Sequence, residues 1–279
     1  MELLTEIIKF LMYSIIIVLV SKYMLVKILR KLGELLELKS KVIGNIAGIA
    51  TSIPELLTVS FSAFTGLIAT STYNIISSNI INLAQYSIAI VLNENQKVLR
   101  NKAIKIDLVL VVITILIPIG MMLFHLENNF ICIPIFIILF LLFYRITNNA
   151  HKLYMTKEKN SDDEKMLEKG TKRNIFLVII QGILLIIVGI ILYVIGNLLS
   201  EVLENLCIRF SIPESIIGIL LGVITSIPEL ITFFESQRHH EEEKEGVVEA
   251  TSNLLTSNMM NLFVIQSIGM MIYLFMYKS

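Results

Sequence analysis

Two glutamates stand where an apolar sequence should carry none. Glu55 lies in G-N-I-A-G-I-A-T-S-I-P-E-L-L-T (44–58), and Glu229 lies in G-I-L-L-G-V-I-T-S-I-P-E-L-I-T (218–232). A charged side chain at a bilayer centre costs about 2.5–3.5 kcal/mol even on insertion scales, so it faces a cavity or a partner. These two are the acidic residues read at depth, and no Lys or Arg lies there to pair with them. An oxygen-lined cavity for a cation is the remaining natural use. The bland alternative is a pair of neutral glutamic acids tying helices together. The neighbouring polar residues favour the cavity, because they are spelled twice and repeats of this kind outweigh single motifs.

Each glutamate follows a proline, a serine and a threonine. Pro54 and Pro228 remove an amide donor and clash with the carbonyl four residues back, at Ala50 and Ile224. Carbonyls freed in this way are tolerated in a membrane only where they line protein or a cavity. Thr51, Ser52, Thr225 and Ser226 place hydroxyls one turn before each carboxylate, and Gly48 and Gly222 let another segment approach closely. A second matched phrase follows each first one. Asn74–Asn82 reads N-I-I-S-S-N-I-I-N and Asn253–Asn261 reads N-L-L-T-S-N-M-M-N. Ser78 and Asn82 stand four apart on one helix face, as do Ser257 and Asn261. Carboxylate, amide, hydroxyl and carbonyl oxygens suit a hard cation such as Ca2+, and no imidazole or thiolate is offered to a softer metal.

The elements that carry these phrases are membrane helices. The chain has 279 residues, 55% hydrophobic and 16% charged, with a mean hydropathy of +0.78. Apolar windows give eight expected spans, at about 7–28, 41–65, 72–92, 104–125, 129–147, 174–199, 213–235 and 247–276. The fold class expected is therefore an all-α polytopic membrane protein with the lipid bilayer as its surroundings. The first run lacks a basic leader and a cleavage site, and is read as a mature helix. Zero net charge gives no field for nucleic acid, and two cysteines, Cys132 and Cys207, fit neither a disulfide framework nor a metal cluster. Lys and Arg gather in the first, third and central loops. The second and fourth loops have none, and the sixth has only Arg209. The positive-inside rule then places the N-terminus outside and the central loop in the cytoplasm. The second span would run outward and the seventh, its repeat, inward. The halves are expected to be inverted-topology repeats, an arrangement of secondary transporters that bind substrate where the repeats meet.

The T-S-I-P-E-L and S-N-x-x-N phrases, duplicated and inverted, resemble the two alpha-repeats of the sodium/calcium exchanger family, within the cation/calcium antiporter superfamily. The resemblance covers spans two, three, seven and eight closely, and the others in general layout. It implies antiport of Ca2+ against Na+ by alternating access in the plasma membrane, with spans one and six sliding past a fixed core. It implies no enzyme activity and no cofactor. Carried over by position, the ion ligands would be Thr51, Ser52, Glu55, Ser78 and Asn82 with Thr225, Ser226, Glu229, Ser257 and Asn261, together with the backbone carbonyls of Gly48 and Gly222. The organisation expected is a first membrane half (1–148, alpha-repeat 41–92), a cytoplasmic linker (149–172) and a second half (173–279, alpha-repeat 213–276). Two departures stand out. Family members commonly carry an acid where this chain has Asn261. They also usually have ten spans, whereas this chain ends soon after its eighth, which leaves a flank of that span open to lipid or to a second copy in a homodimer.

Three rival readings rest on the same residues. Coupling of Ca2+ to H+ is one, although proton-coupled relatives usually lack the T-S-x-P-E spelling. An intramembrane enzyme would need a nucleophile–base pair or a Gly-x-Gly-Asp motif, and neither is present. A channel would not need two inverted sites. The S-Q-R-H-H-E-E-E-K-E-G stretch (236–246) reads as a solvated charged loop.

Overall fold

The computed structural model describes residues 2–35, 40–124, 126, 129–155, 175–239 and 243–277, and every regular element among them is helical. Helix α1 (Glu2–Val20) passes through a π-helical turn (Ser21–Val26) into α2 (Lys27–Leu35). α3 (Ser40–Thr51) and α4 (Ile53–Phe64) form one crossing segment, and α5 (Ile68–Leu92) returns beside them. A 3-10 turn (Asn95–Arg100) leads to α6 (Lys102–Leu123) and then α7 (Cys132–Met155). α8 (Ile175–Glu204) ends in a second π-helical turn (Asn205–Arg209). α9 (Glu214–Thr225) and α10 (Ile227–His239) repeat the paired segment. α11 (Glu243–Met259), a third π-helical turn (Met260–Ile265) and α12 (Gln266–Tyr277) complete the described chain. Eight segments are long and apolar enough to cross a membrane, the number expected from the windows.

Each T-S-I-P-E phrase interrupts its helix at the same place. Ser52 (φ −82°, ψ 0°) separates α3 from α4, and Ser226 (φ −81°, ψ 0°) separates α9 from α10. The proline then sits in the first turn of the next helix, where an amide donor would have had no partner anyway. After α4 the chain reverses at Gly66, whose φ of +81° is left-handed. The Leu67 amide bonds back to the Ser62 carbonyl at 2.8 Å, closing the helix end.

Small residues bring the two broken segments against the two asparagine helices. α3 packs on α11 and α9 packs on α5. A Cβ at Gly48 would meet the Asn253 carbonyl oxygen at 2.7 Å, and one at Gly218 would meet the Thr70 carbonyl oxygen at 2.6 Å. Gly44 and Gly222 make the matching contacts one turn away, so both crossings are G-x-x-x-G faces on which backbones nearly touch. Around this centre lie two apolar clusters. One joins α5, α6, α7, α10 and α11, with Phe263 edge-on to Phe136 and Phe143 at 5.8 and 5.2 Å. The other joins α1, α8 and α9 through Phe10, Ile17, Leu192, Leu203 and Leu221. The outward faces of α7 and α8 expose Ile138, Leu141, Ile186 and Ile190, which suits helices lying against lipid.

Two boundaries differ from the reading of the sequence. The charged stretch 236–246 is largely helix rather than loop. α10 runs to His239 and α11 begins at Glu243, with 240–242 outside the described residues. Charged side chains on a helix that projects past the apolar zone stay solvated, so the charge run had no bearing on backbone form. α7 likewise continues to Met155, into the start of the expected linker, and 156–172 lie outside the described residues.

Candidate cation site

The glutamates are placed by the helix breaks. Each sits in the first turn after its proline, at 0% exposure, and the residues from Thr51 to Glu55 and from Thr225 to Glu229 converge on the asparagine helices. Ser78 Oγ donates to Glu55 Oε1 at 3.2 Å, and Ser257 Oγ donates to Glu229 Oε1 at 3.0 Å. These are equivalent contacts in the two repeats. Crossing contacts then tie the repeats together. Ser78 reaches the Gly222 carbonyl oxygen and the Thr225 hydroxyl, each at 3.4 Å. Ser52 Oγ stands 3.0 Å from Ser257 Oγ, and Asn82 Nδ2 donates to the same serine at 3.3 Å. Because Ser257 gives its one hydrogen to Glu229, it accepts from Asn82, while the Ser52 hydroxyl beside it spends its own hydrogen on the Gly48 carbonyl.

Of the twelve residues read from the sequence, nine enter this network through their side chains and two, Gly48 and Gly222, through their carbonyls, while Ser226 is buried outside it. The Gly48 carbonyl accepts the Ser52 amide (3.3 Å), the Ser52 hydroxyl (2.8 Å) and the Thr51 hydroxyl (3.3 Å). The Gly222 carbonyl accepts the Ser226 amide at 3.2 Å, with the Ser78 hydroxyl 3.4 Å away. Thr225 turns its hydroxyl to the Leu221 carbonyl, and the Ser226 hydroxyl is buried with no partner.

What the network leaves over decides its chemistry. Glu55 Oε2, Glu229 Oε2, Asn82 Oδ1 and Asn261 Oδ1 are buried and accept no hydrogen bond. Each of the four repeated phrases supplies one of these acceptors, and the second pair of phrases leaves Ser226 Oγ and Asn253 Oδ1 without a partner as well. Leaving an acceptor dry costs about 1–3 kcal/mol, and more for a charged oxygen. A cation within their reach would satisfy them, which apolar packing would not. Among the described residues no three of His, Cys, Asp and Glu gather, so the donor set is of hard oxygens without a thiolate or imidazole.

Four asparagines and two threonines fix this site and were not singled out in the sequence. Asn79 and Asn258, in the middle of each asparagine phrase, interlock across the halves. Asn258 Nδ2 donates to the Asn79 carbonyl at 3.2 Å. Asn82 donates to Asn258 Oδ1 at 3.2 Å, and Asn261 donates to Asn79 Oδ1 at 3.1 Å. The two donor amides are thereby turned so that their oxygens stay free. Asn74 and Asn253, which open the phrases, each donate at 2.7 Å to Thr58 and Thr232, which in turn donate to the Glu55 and Glu229 carbonyls. The duplicated spelling was the available signal for all six. Asn261 alone among the twelve positions read from the sequence lies in a π-helical turn, a form that recurs at functional sites. Asp107 is a further buried acid that the depth reading passed over. It lies near the start of its span and is 0% exposed.

The family model described as sodium/calcium exchanger protein matches residues 7–147 and 180–278 of this chain. Solved structures of the sodium-calcium exchanger NCX_Mj share the fold. The form soaked with 10 mM Na+ and zero Ca2+ aligns with a TM-score of 0.53 at 21% identity, covering 97% of this chain and 83% of that one. The form soaked with 2.5 mM Na+ and 10 mM Sr2+ gives 0.51 at 21% identity over the same shares. The form soaked with 2.5 mM Na+ and 0.1 mM Ca2+ gives 0.50 at 20% identity, covering 99% and 91%. No curated protein matches the chain.

Proposed function

This chain belongs to the sodium/calcium exchanger family, and from that premise we propose that it exchanges Ca2+ for Na+ across a membrane by alternating access. The observation that carries the reading is that buried oxygens of Glu55, Glu229, Asn82 and Asn261, on all four repeated phrases, have no hydrogen-bond partner. Two carboxylates balance one Ca2+, and two amide oxygens with the flanking hydroxyls of Thr51, Ser52, Ser78, Thr225, Ser226 and Ser257 replace its water. The carbonyls of Gly48 and Gly222 complete the proposed ligand set. Na+ takes the same oxygens singly, so the two ions compete for one place and are carried in opposite directions.

The halves 1–148 and 173–279 act, in this reading, as inverted repeats around that site, joined by the cytoplasmic segment between them. The reciprocal packing of α3 on α11 and α9 on α5 supports it. So does the placing of Lys and Arg, which favours an N-terminus outside the cell, the membrane being read as the plasma membrane. α1 and α8, packed on each other beside the repeats, form the pair that slides.

Purified protein in vesicles tests the reading. An outward Na+ gradient at fixed pH is expected to drive Ca2+ uptake, and collapse of the gradient to stop it. Uptake driven by a pH gradient and indifferent to Na+ would make it a proton-coupled antiporter instead. Orientation has its own test in a background lacking Cys132 and Cys207. Phe130→Cys is expected to react with an impermeant thiol reagent from outside, and Gln96→Cys only after permeabilisation.

A further inference from the structure

Asp107 takes no part in the repeated phrases, yet α6 buries it completely. Unlike Glu55 and Glu229, both its oxygens are engaged. Thr147 Oγ1 donates to Oδ1 at 2.6 Å, and His151 Nε2 lies 2.6 Å from Oδ2. Thr147 and His151 stand on consecutive turns of α7 and are themselves buried, at 6% and 8% exposure. Lys41 reaches the same turns from the start of α3. Its Nζ donates to Asn148 Oδ1 at 3.0 Å and to Thr147 Oγ1 at 3.4 Å, within electrostatic reach of Asp107. A carboxylate, an imidazole and an ammonium thus share one enclosed place where α3, α6 and α7 meet.

The other charged and titratable groups nearby are accounted for. α5 presents Tyr86, within electrostatic reach of Asp107, with its hydroxyl 2.7 Å from Thr251 on α11. Glu249 of α11 accepts from Ser236. On α6 and α7, Lys102, Lys105, Arg145 and Lys152 are exposed, and Lys102 lies over the Tyr154 ring. With its oxygens satisfied, Asp107 is not a vacant cation seat. Its imidazole partner is the side chain whose charge changes near neutral pH.

We propose that Asp107 and His151 form a proton-binding site, separate from the cation site, whose charge sets the hold on Lys41 and with it the first turn of α3. Neutral His151 gives its Nε2 hydrogen to Asp107, so an incoming proton adds to Nδ1 and makes an imidazolium. Asp107 then faces two cations. The imidazolium competes with Lys41 for the carboxylate and repels it, loosening the link from α3 to Thr147 and Asn148. α3 carries Thr51 and leads through Ser52 to Glu55, so a shift at its start bears on ion binding. Any effect on flux rests on the exchange reading; the proton site itself does not.

The test uses the full chain in lipid nanodiscs. The chain has four histidines, and His151→Gln identifies the His151 carbon resonance by its loss. That resonance is expected to move on proton uptake, and a resonance indifferent to pH overturns the proposal. Hydrogen exchange over residues 40–50, corrected for the chemical rate, is expected to rise severalfold from about pH 8 to 6 in the parent. In Lys41→Gln the resonance still titrates but α3 no longer follows it. An α3 response that persists in Lys41→Gln or in His151→Gln overturns the coupling. Ca2+ flux under a fixed Na+ gradient is expected to change about threefold over the same pH range in the parent and to stay flat in His151→Gln. Absence of Ca2+ flux from both proteins counts against the exchange reading, while resonance and exchange decide the proton site.

Discussion

The hydroxyls of Ser52 and Ser257 lie 3.0 Å apart although 205 residues separate them. The contact joins the first proline phrase to the second asparagine phrase, and Ser257 passes it on to Glu229 and Asn82. Each carboxylate therefore shares hydroxyls with the opposite half. Neither half holds a finished site.

Removing either charge should end Ca2+ movement. Glu55→Gln and Glu229→Gln keep the shape of the side chain but halve the negative charge available to a divalent ion. Each variant is expected to insert and elute as the parent does, with Ca2+ flux reduced by about two orders of magnitude or more. Near-normal flux in either would sink the proposed site.

The interlocked asparagines are expected to matter for stability as well as for transport. Asn79→Ala removes the acceptor of Asn261 and one of the bonds across the halves. Partners left dry inside the protein cost about 1–3 kcal/mol. Thermal unfolding in detergent should show a lowered midpoint for Asn79→Ala and for Asn258→Ala. Unchanged midpoints would mean that these amides are replaceable by water.

Glycine substitutions separate contact from composition. Gly48→Ala would drive a Cβ to 2.7 Å from a backbone oxygen of α11, which cannot swing aside. A loss of about 1–3 kcal/mol is expected. Gly120→Ala meets nothing within 4 Å and is expected to be neutral or slightly stabilising. Equal effects from the two, read by the same unfolding assay, would remove the case for a tight α3–α11 crossing.

Asn261 offers a gain rather than a loss. Its free Oδ1 already sits among the unpartnered oxygens, so Asn261→Asp adds charge without adding a new ligand position. Affinity for Ca2+ rises with the number of charged ligands, and ligand bound only to the folded state raises its midpoint. The expected result is a larger Ca2+-dependent rise in unfolding temperature than the parent shows. A smaller rise would place Asn261 outside the ion's reach.

Glu55 and Glu229 were legible because an acid and a proline in an apolar run are costly, and a costly feature spelled twice has a use. The same spelling displayed Asn79 and Asn258, but spacing along one helix selects Ser78 with Asn82 and Ser257 with Asn261. The role of the middle asparagines exists only where two helices cross, which periodicity along one chain does not encode. Asp107 was hidden for another reason. An acid near the edge of an apolar window reads as a solvated end, and only the placement of Thr147 and His151 on α7 encloses it. The stretch 236–246 failed in the opposite direction, since its charges reported solvent contact and were taken to report a loop.

The glycine face of α3 imposes an order on biosynthesis. Its cover is α11, with Glu249 and Asn253 lying over Gly44 and Gly48, and α11 leaves the ribosome long after α3 has entered the bilayer. Until then Ser52 lacks Ser257, its neighbour across the halves. α9 has no such wait, because α5 is already in place when its own glycines arrive. The first half on its own therefore leaves the glycine face of α3 uncovered. A nascent chain that stalls before α11 displays a polar stripe inside the membrane, the kind of mark by which quality control recognises an orphan.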